Sequence, residues 1–254
     1  MRSAYRLALL AAAMLPASLA HAEYWIGNGA TANWTTTSNW SATSGGVTNN
    51  TLPPTDDTVN FSLADAIART ITFDYIPGTT PTYSSINLNQ TGTGPLTLQL
   101  LNTASFTTNS MTLGINGHGS FFMNANSIHI NNYLNLGQNS PGSGTFTIAG
   151  GTLLAGSADI HVGVSGTGTF NHNAGSVYAS SLSVGSVTGS SGTYTQGNQY
   201  SSLSVTYTEI IGGGTSGIFT QNLGFHSCGG LTLAANGRGL TALYFERYAH
   251  GPAA

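Results

Sequence analysis

The sequence predicts an all-β fold, a right-handed parallel β-helix (β-solenoid) with coils of about 24–25 residues. The first observation is a glycine–x–aromatic step that recurs along the second half of the chain. Successive aromatic residues of this step are 25, 24, 24 and 25 positions apart, a register that chance spacing would not hold. A fixed period of this size indicates a repeat architecture. The recurring aromatic residues are Phe121, Phe146, Phe170, Tyr194 and Phe219.

The second observation is an aliphatic–x–aliphatic–glycine step between those aromatic residues. It is clear at 134–137, 160–163 and 182–185, and it is blurred near 210–212. Both steps alternate apolar and polar residues with a period of two, as strands do. No long stretch after the N-terminal segment has the apolar spacing of an amphipathic helix, which disfavours a helical solenoid.

Stacked coils place equivalent side chains directly above one another. Neighbouring strands lie about 4.8 Å apart, so we expect the five aromatic residues to form an internal ladder, ring over ring. The aliphatic step should form a second internal column in the same way. A single coil could not bury these side chains alone, so the ladder is a property of the stack.

Residues 1–22 have the pattern of a secretory signal peptide. Two arginines precede an apolar run at 7–15, and residues 20–22 form a small–x–small cleavage site. The apolar run is too short to span a membrane, and Pro16 follows it. We therefore expect an exported protein, extracellular or at the cell surface, whose mature chain begins at Glu23.

Residues 23–55 differ from the repeats and contain all three tryptophans, Trp25, Trp34 and Trp40. The first coil of a solenoid exposes an apolar cross-section and an unpaired strand edge, which require a cover. We predict that the tryptophans form this N-terminal cap. The alternative is a platform on which the flat aromatic faces stack against sugar rings.

The solenoid is predicted to extend over residues 56–236, with less regular coils up to residue 118. The run Leu63 to Arg69 is the only plausible helical turn of the mature chain. Residues 237–254 lack the regularly spaced glycine and asparagine residues that mark turns in the coils, and Leu243-Tyr244-Phe245 could begin one more coil. We interpret this segment as a degenerate or truncated last coil.

Charge excludes several kinds of partner. The chain contains no lysine, and the mature chain has a formal net charge of 3 − 8 = −5. A protein this poor in cations has no phosphate-binding patch, which argues against nucleic acid and anionic membranes as partners. The high hydrophobic content, 40%, in a regular register argues for a folded protein over a disordered polar tract.

The residue types needed for catalysis or metal binding are sparse. Asp159 is the only acidic residue between Asp74 and Glu209, so the paired carboxyls of a glycosidase are not expected on the regular coils. We therefore predict no enzymatic activity, cofactor or metal ligand set. His172 is expected to be a polar filler of an internal column, and Cys228, the single cysteine, a buried structural thiol.

The motifs resemble those of exported bacterial β-solenoid proteins. The opening Trp-x-Gly, Asn-Trp and Asn-Trp-Ser motifs, followed by Gly-Thr-Phe and Leu-x-Val-Gly coils, are similar to autotransporter passengers with autotransporter-associated β-strand repeats. They are also similar to repeat proteins with a C-terminal PEP-CTERM sorting signal. Such passengers are normally followed by an outer-membrane barrel, and sorted proteins by Pro-Glu-Pro, an apolar helix and basic residues. Neither pattern follows Asn236.

The resemblance implies a surface or secreted protein without assigned catalytic residues. We expect a non-enzymatic scaffold in adhesion, envelope or matrix contact, whose faces rich in Thr, Ser and Asn bind glycans or surface proteins. The first alternative is a carbohydrate-binding or polysaccharide-degrading β-helix module. The second is a truncated passenger fragment without a function of its own.

Overall fold

The computed structural model describes residues 21–27, 32–75, 80–101, 104–185, 187–214 and 216–233. These residues confirm the predicted fold class: parallel strands stack into a β-solenoid of about seven turns, with about 25 residues per turn. Most of the predicted signal peptide, residues 1–20, and the predicted last coil, 237–254, lie outside the described residues.

The described part of the chain contains fifteen strands and one short 3-10 helix, η1 (Thr37–Asn39). The first eight strands are β1 (Ala22–Trp25), β2 (Trp40–Ser41), β3 (Thr58–Leu63), β4 (Arg69–Phe73), β5 (Thr82–Gln90), β6 (Leu96–Leu100), β7 (Phe106–Leu113) and β8 (His118–Met123). The others are β9 (Ser127–Leu136), β10 (Ser143–Val162), β11 (Thr167–Val184), β12 (Ser191–Gln196), β13 (Ser201–Ile211), β14 (Ser216–Gln221) and β15 (Phe225–Leu233).

A regular coil contains three strand segments, which the long strands β10 and β11 join without a break. Residues 143–148, 152–155 and 159–162 of β10 pair in parallel with three segments of β11. The register shifts between these segments, so each corner has an irregularity that turns the chain. Equivalent residues of successive coils nevertheless remain aligned, because Gly144, Gly168, Gly192 and Gly217 are direct strand partners.

The aromatic residues of the glycine–x–aromatic step lie inside the solenoid as one stack. Successive ring centroids from Phe121 to Phe219 are 5.1, 5.0, 4.7 and 5.0 Å apart, and the rings are inclined by only 8–25°. Each of these rings is at most 1% exposed. Below Phe121 the same column continues with Leu98 and Ile71.

The glycines of the two recurring steps, glycine–x–aromatic and aliphatic–x–aliphatic–glycine, meet at one corner of the solenoid, which explains why both recur. The amide of Gly163 donates to Leu136 O (2.8 Å) on the preceding coil, and Gly168 packs directly against this hydrogen bond. A Cβ at residue 168 would collide with Gly163 N and approach Leu136 O to 2.9 Å. Gly163 itself has a φ of +78°, which side-chain-bearing residues rarely adopt.

The tryptophan segment covers the first coil. β1 pairs in parallel with β3 and antiparallel with β2, so the cap begins with a strand of the main sheet. Trp34 packs between Trp40 (4.8 Å) and Phe73 (4.7 Å), and the indole of Trp40 donates to Trp34 O (2.8 Å).

The helical turn predicted from Leu63 to Arg69 is wrong. Leu63 ends β3 and Arg69 begins β4, and the residues between them form a bend. The carboxylate of Asp65 accepts the amide of Ile67 (3.0 Å) and both guanidinium nitrogens of Arg69 (2.6 and 2.8 Å). An aspartate that accepts a backbone amide two residues on favours a turn over a helix.

Candidate functional site

A flat polar surface covers the strands whose inner side carries the aromatic stack. Strand alternation points the residues flanking each aromatic outward, and the parallel register lines them up in two columns. We call this surface the threonine face. Its first column is Thr70, Thr97, Ser120, Thr145, Thr169, Thr193 and Ile218, and its second is Thr72, Gln99, Phe122, Thr147, Asn171, Thr195 and Thr220.

The spacing of the threonine face is set by the backbone. Neighbouring rungs are separated by the strand spacing, about 4.8 Å, and the two columns by two residues of strand, about 6.7 Å. Threonine suits these positions because its β-branched side chain is stiff and favours extended backbone. The hydroxyls therefore form a regular array on stiff side chains.

Some hydroxyls of the threonine face accept hydrogen bonds from other side chains of the protein, and others do not. In the second column, Gln99 donates to Thr72 Oγ1 (2.8 Å) and Asn171 donates to Thr147 Oγ1 (3.3 Å). Within the described residues we find no side-chain partner for the hydroxyls of Thr145, Thr169 and Thr193 in the first column. These three hydroxyls are available to a ligand, and so are others of the face, such as those of Thr97 and Thr195.

A groove of about 300 Å³ borders the threonine face near its less regular coils. Ser120 and Thr145 of the first column line it, together with His118, Ser143 and the loop at 93–96. The groove gives the otherwise flat surface one concave edge, lined mainly by hydroxyl and backbone groups.

The three tryptophans do not form an exposed platform. Trp25 is 2% exposed, and Trp34 and Trp40 are fully buried. A sugar ring needs one open aromatic face, so the alternative in which these indoles stack against glycans does not fit the structure. Their contacts are those of a cap that fills the first coil.

The sequence reasoning did not predict that two acidic residues near the cap, Glu23 and Asp57, are both buried. Burial raises the pKa of each carboxyl. The side-chain amide of Asn49 donates to both oxygens of Glu23 (3.0 and 2.9 Å). Glu23 is 5% and Asp57 7% exposed, so we assign both carboxyls to the packing of the cap.

His172 fills an internal column that Gln196 and Gln221 continue, as the sequence predicted for a polar filler. Its Nε2–H donates to Gly175 O (3.0 Å), so Nδ1 carries no proton and accepts from the hydroxyl of Tyr194 (2.9 Å). Burial lowers the pKa of His172, which favours the neutral imidazole in the folded chain.

We expect His172→Gln to make folding less sensitive to acid. An unfolded histidine takes up a proton near pH 6.5, whereas folded His172 resists it until lower pH, so stability falls as the pH drops below about 6.5. Glutamine does not titrate, and it already occupies this column in the next two coils. The measurement is the urea midpoint at about pH 7.5 and about pH 5. Equal losses in wild type and variant would contradict the assignment.

Cys228 is only partly buried, so the prediction of a buried thiol is wrong in part. It lies on β15, the last described strand, where no further described coil covers it. Burial, and next the carboxylate of Glu209, raise the pKa of its thiol.

The sequence reasoning missed the fully buried Glu209. A signal was present, because Glu209 precedes Gly212 by three residues, as Leu182 precedes Gly185.

The geometry defines the class of the molecule as a parallel β-solenoid repeat protein with a tryptophan-rich cap. No protein-family model matches the chain, no curated protein matches it, and no solved structure matches it. Among the described residues, no helix is long and apolar enough to cross a membrane. What the molecule binds must therefore be argued from its surfaces.

Proposed function

We propose that this protein is a non-enzymatic, secreted or cell-surface scaffold, similar to an autotransporter passenger, whose threonine face contacts polysaccharide. The observation that carries the proposal is the row of outward hydroxyls at Thr145, Thr169 and Thr193, which have no side-chain partner in the described part of the chain. The residues that define the face include no charged side chain. Such a surface suits a neutral, hydroxyl-rich polymer better than an ionic partner.

The affinity of this surface would come from repetition. A single hydrogen bond contributes only about 0.5–1.5 kcal/mol net, so one sugar unit would bind weakly. An extended polysaccharide presents many hydroxyls along its length and can contact several rungs at once. The rigid backbone of the solenoid reduces the entropy lost when those contacts form.

Export and a role in adhesion, envelope or matrix contact are supported by the signal-peptide pattern of residues 1–22 and by the resemblance to passenger proteins. The scarcity of cations argues against nucleic acid as the partner. The scarcity of acidic residues on the regular coils argues against the alternative of a polysaccharide-degrading module.

We expect the triple variant Thr145→Val, Thr169→Val, Thr193→Val to lose polysaccharide binding. Valine keeps the β-branched shape and removes only the hydroxyl, so the fold should persist. Loss of three hydrogen bonds corresponds to about a tenfold to thousandfold weaker binding. The measurement is retention of the full chain on insoluble cellulose, chitin and peptidoglycan, with circular dichroism as the check of folding.

The matched control places three valines on another wall of the same coils, at Thr152, Ser176 and Ser202. This control should bind as wild type does. Equal losses in both triple variants, or no retention of the wild-type chain on any of the three polymers, would contradict the proposal. Release of soluble sugars from a polymer would instead favour the degrading alternative.

A further inference from the structure

Three side chains differ in residue type from the other members of their internal columns, and they converge where β13 meets β15. Glu209 of β13 and His226 and Cys228 of β15 all stand where the preceding coils place apolar residues. The carboxylate column otherwise contains Met111, Leu134, Ile160, Leu182 and Leu231. The other two columns contain Ile128, Leu153, Val177 and Leu203 below His226, and Ala155, Ala179 and Val205 below Cys228.

The three side chains bring their ligand atoms together. Nε2 of His226 lies 2.8 Å from Oε2 of Glu209, and the carboxylate, imidazole and thiol donor atoms all lie within 4.8 Å of one another. Glu209 is 1% exposed, so its carboxylate is held inside the solenoid. The ring of His226 is positioned by stacking on Phe219 at 4.9 Å.

A carboxylate inside an apolar column is costly unless it is paired. His226 pairs with Glu209, and Cys228 adds a third donor atom at the same place. Oxygen, nitrogen and sulfur donors together are the set that Zn²⁺ accepts, whereas Ca²⁺ and Mg²⁺ prefer oxygen alone. We propose that Glu209, His226 and Cys228 form a binding site for one Zn²⁺ ion.

The geometry is close to that of a bound ion. Ligand atoms around tetrahedral zinc lie roughly 3.3–3.7 Å from one another, given metal–ligand bonds of about 2.0–2.3 Å. The donor atoms all lie within 4.8 Å of one another, so the most distant pair needs to approach by at most about 1 Å. Nε2 of His226 and Oε2 of Glu209, which are 2.8 Å apart, need to separate by about 0.5–0.9 Å. Three protein ligands leave a fourth position for water. The ion would link β13 to β15 and close the inner space above the aromatic stack.

The test is zinc binding by the full chain after treatment with a chelator. We expect one Zn²⁺ to bind per chain, and the unfolding midpoint to rise with zinc concentration, because the folded state alone holds the three ligands together. Cobalt in place of zinc should give a thiolate-to-metal charge-transfer band. No binding by the wild-type chain, or a cobalt complex without that band, would overturn the proposal.

Single substitutions separate this site from adventitious binding. Cys228→Ser and Glu209→Gln should each weaken zinc binding at least tenfold, since even second-shell changes cost about 10–100-fold. Cys228→Ser is close to isosteric, so it keeps the test valid where Glu209→Gln fails to fold. The matched control is His129→Gln, an exposed histidine on the same wall that should leave zinc affinity unchanged. Equal zinc affinity in wild type and Cys228→Ser would overturn the proposal.

Discussion

Phe170→Ser is expected to lower the free energy of unfolding by at least about 3–5 kcal/mol, the range for removing a buried aromatic ring from a core. Phe170 is fully buried, and its ring is stacked between Phe146 at 5.0 Å and Tyr194 at 4.7 Å. Serine would leave a cavity in the middle of the stack and bury a hydroxyl. Each rung contacts only its neighbours, so the loss removes support from the coils on both sides.

The measurement is urea-induced unfolding followed by far-ultraviolet circular dichroism, with the midpoint as the readout. The control is Thr169→Ser, which changes the adjacent outward side chain by one methyl group and should shift stability by less than about 0.5 kcal/mol. An unchanged midpoint for Phe170→Ser would remove the claim that the internal ladder stabilises the solenoid.

Gly168→Ala is the second change with a large expected effect, although it adds only one methyl group. The new Cβ would collide with Gly163 N and disturb the hydrogen bond from Gly163 to Leu136. Overpacking typically costs about 1–3 kcal/mol, and we expect more here because the obstacle is backbone, which cannot rotate away. Urea unfolding and the yield of folded protein are the measurements.

Gly156→Ala is the matched control for this prediction. A Cβ at residue 156 meets no atom within 4 Å. Gly156 lies in β10, the strand that also contains Gly144, the equivalent of Gly168 in the preceding coil. We expect this substitution to be neutral or slightly stabilising, because alanine restricts the unfolded chain more than glycine does. Equal destabilisation by Gly168→Ala and Gly156→Ala would show that steric fit at the corner is not the reason for the recurring glycine.

Local residue types were not sufficient where a short segment had two possible structures. The run from Leu63 to Arg69 has good helix formers, yet Asp65 and Arg69 hold it as a bend between two strands. The stacking of the neighbouring coils determines where both flanking strands lie, and a helical turn would not connect them in that register. Tertiary context overrides a weak helical propensity in such a case.

Some of the site residues could be placed from the sequence, and others could not. Thr145, Thr169 and Thr193 could be placed on one outward column from their position before each aromatic residue. The grouping of Glu209 with His226 and Cys228 could not, because the distance from the aromatic to the aliphatic column varies between coils. Leu182 follows Phe170 by 12 residues, whereas Glu209 follows Tyr194 by 15.

The sequence alone determined the repeat, the all-β class and the inward ladder of aromatic residues, because every coil carries the same two-residue alternation and the same period. Only the tertiary structure decided which residues of different coils meet. Irregular corners change the number of residues between columns, so a buried glutamate, a histidine and a cysteine that look unrelated along the chain lie within one ion's reach. The physical reason is that alternation is a property of each strand, whereas convergence depends on the register between strands.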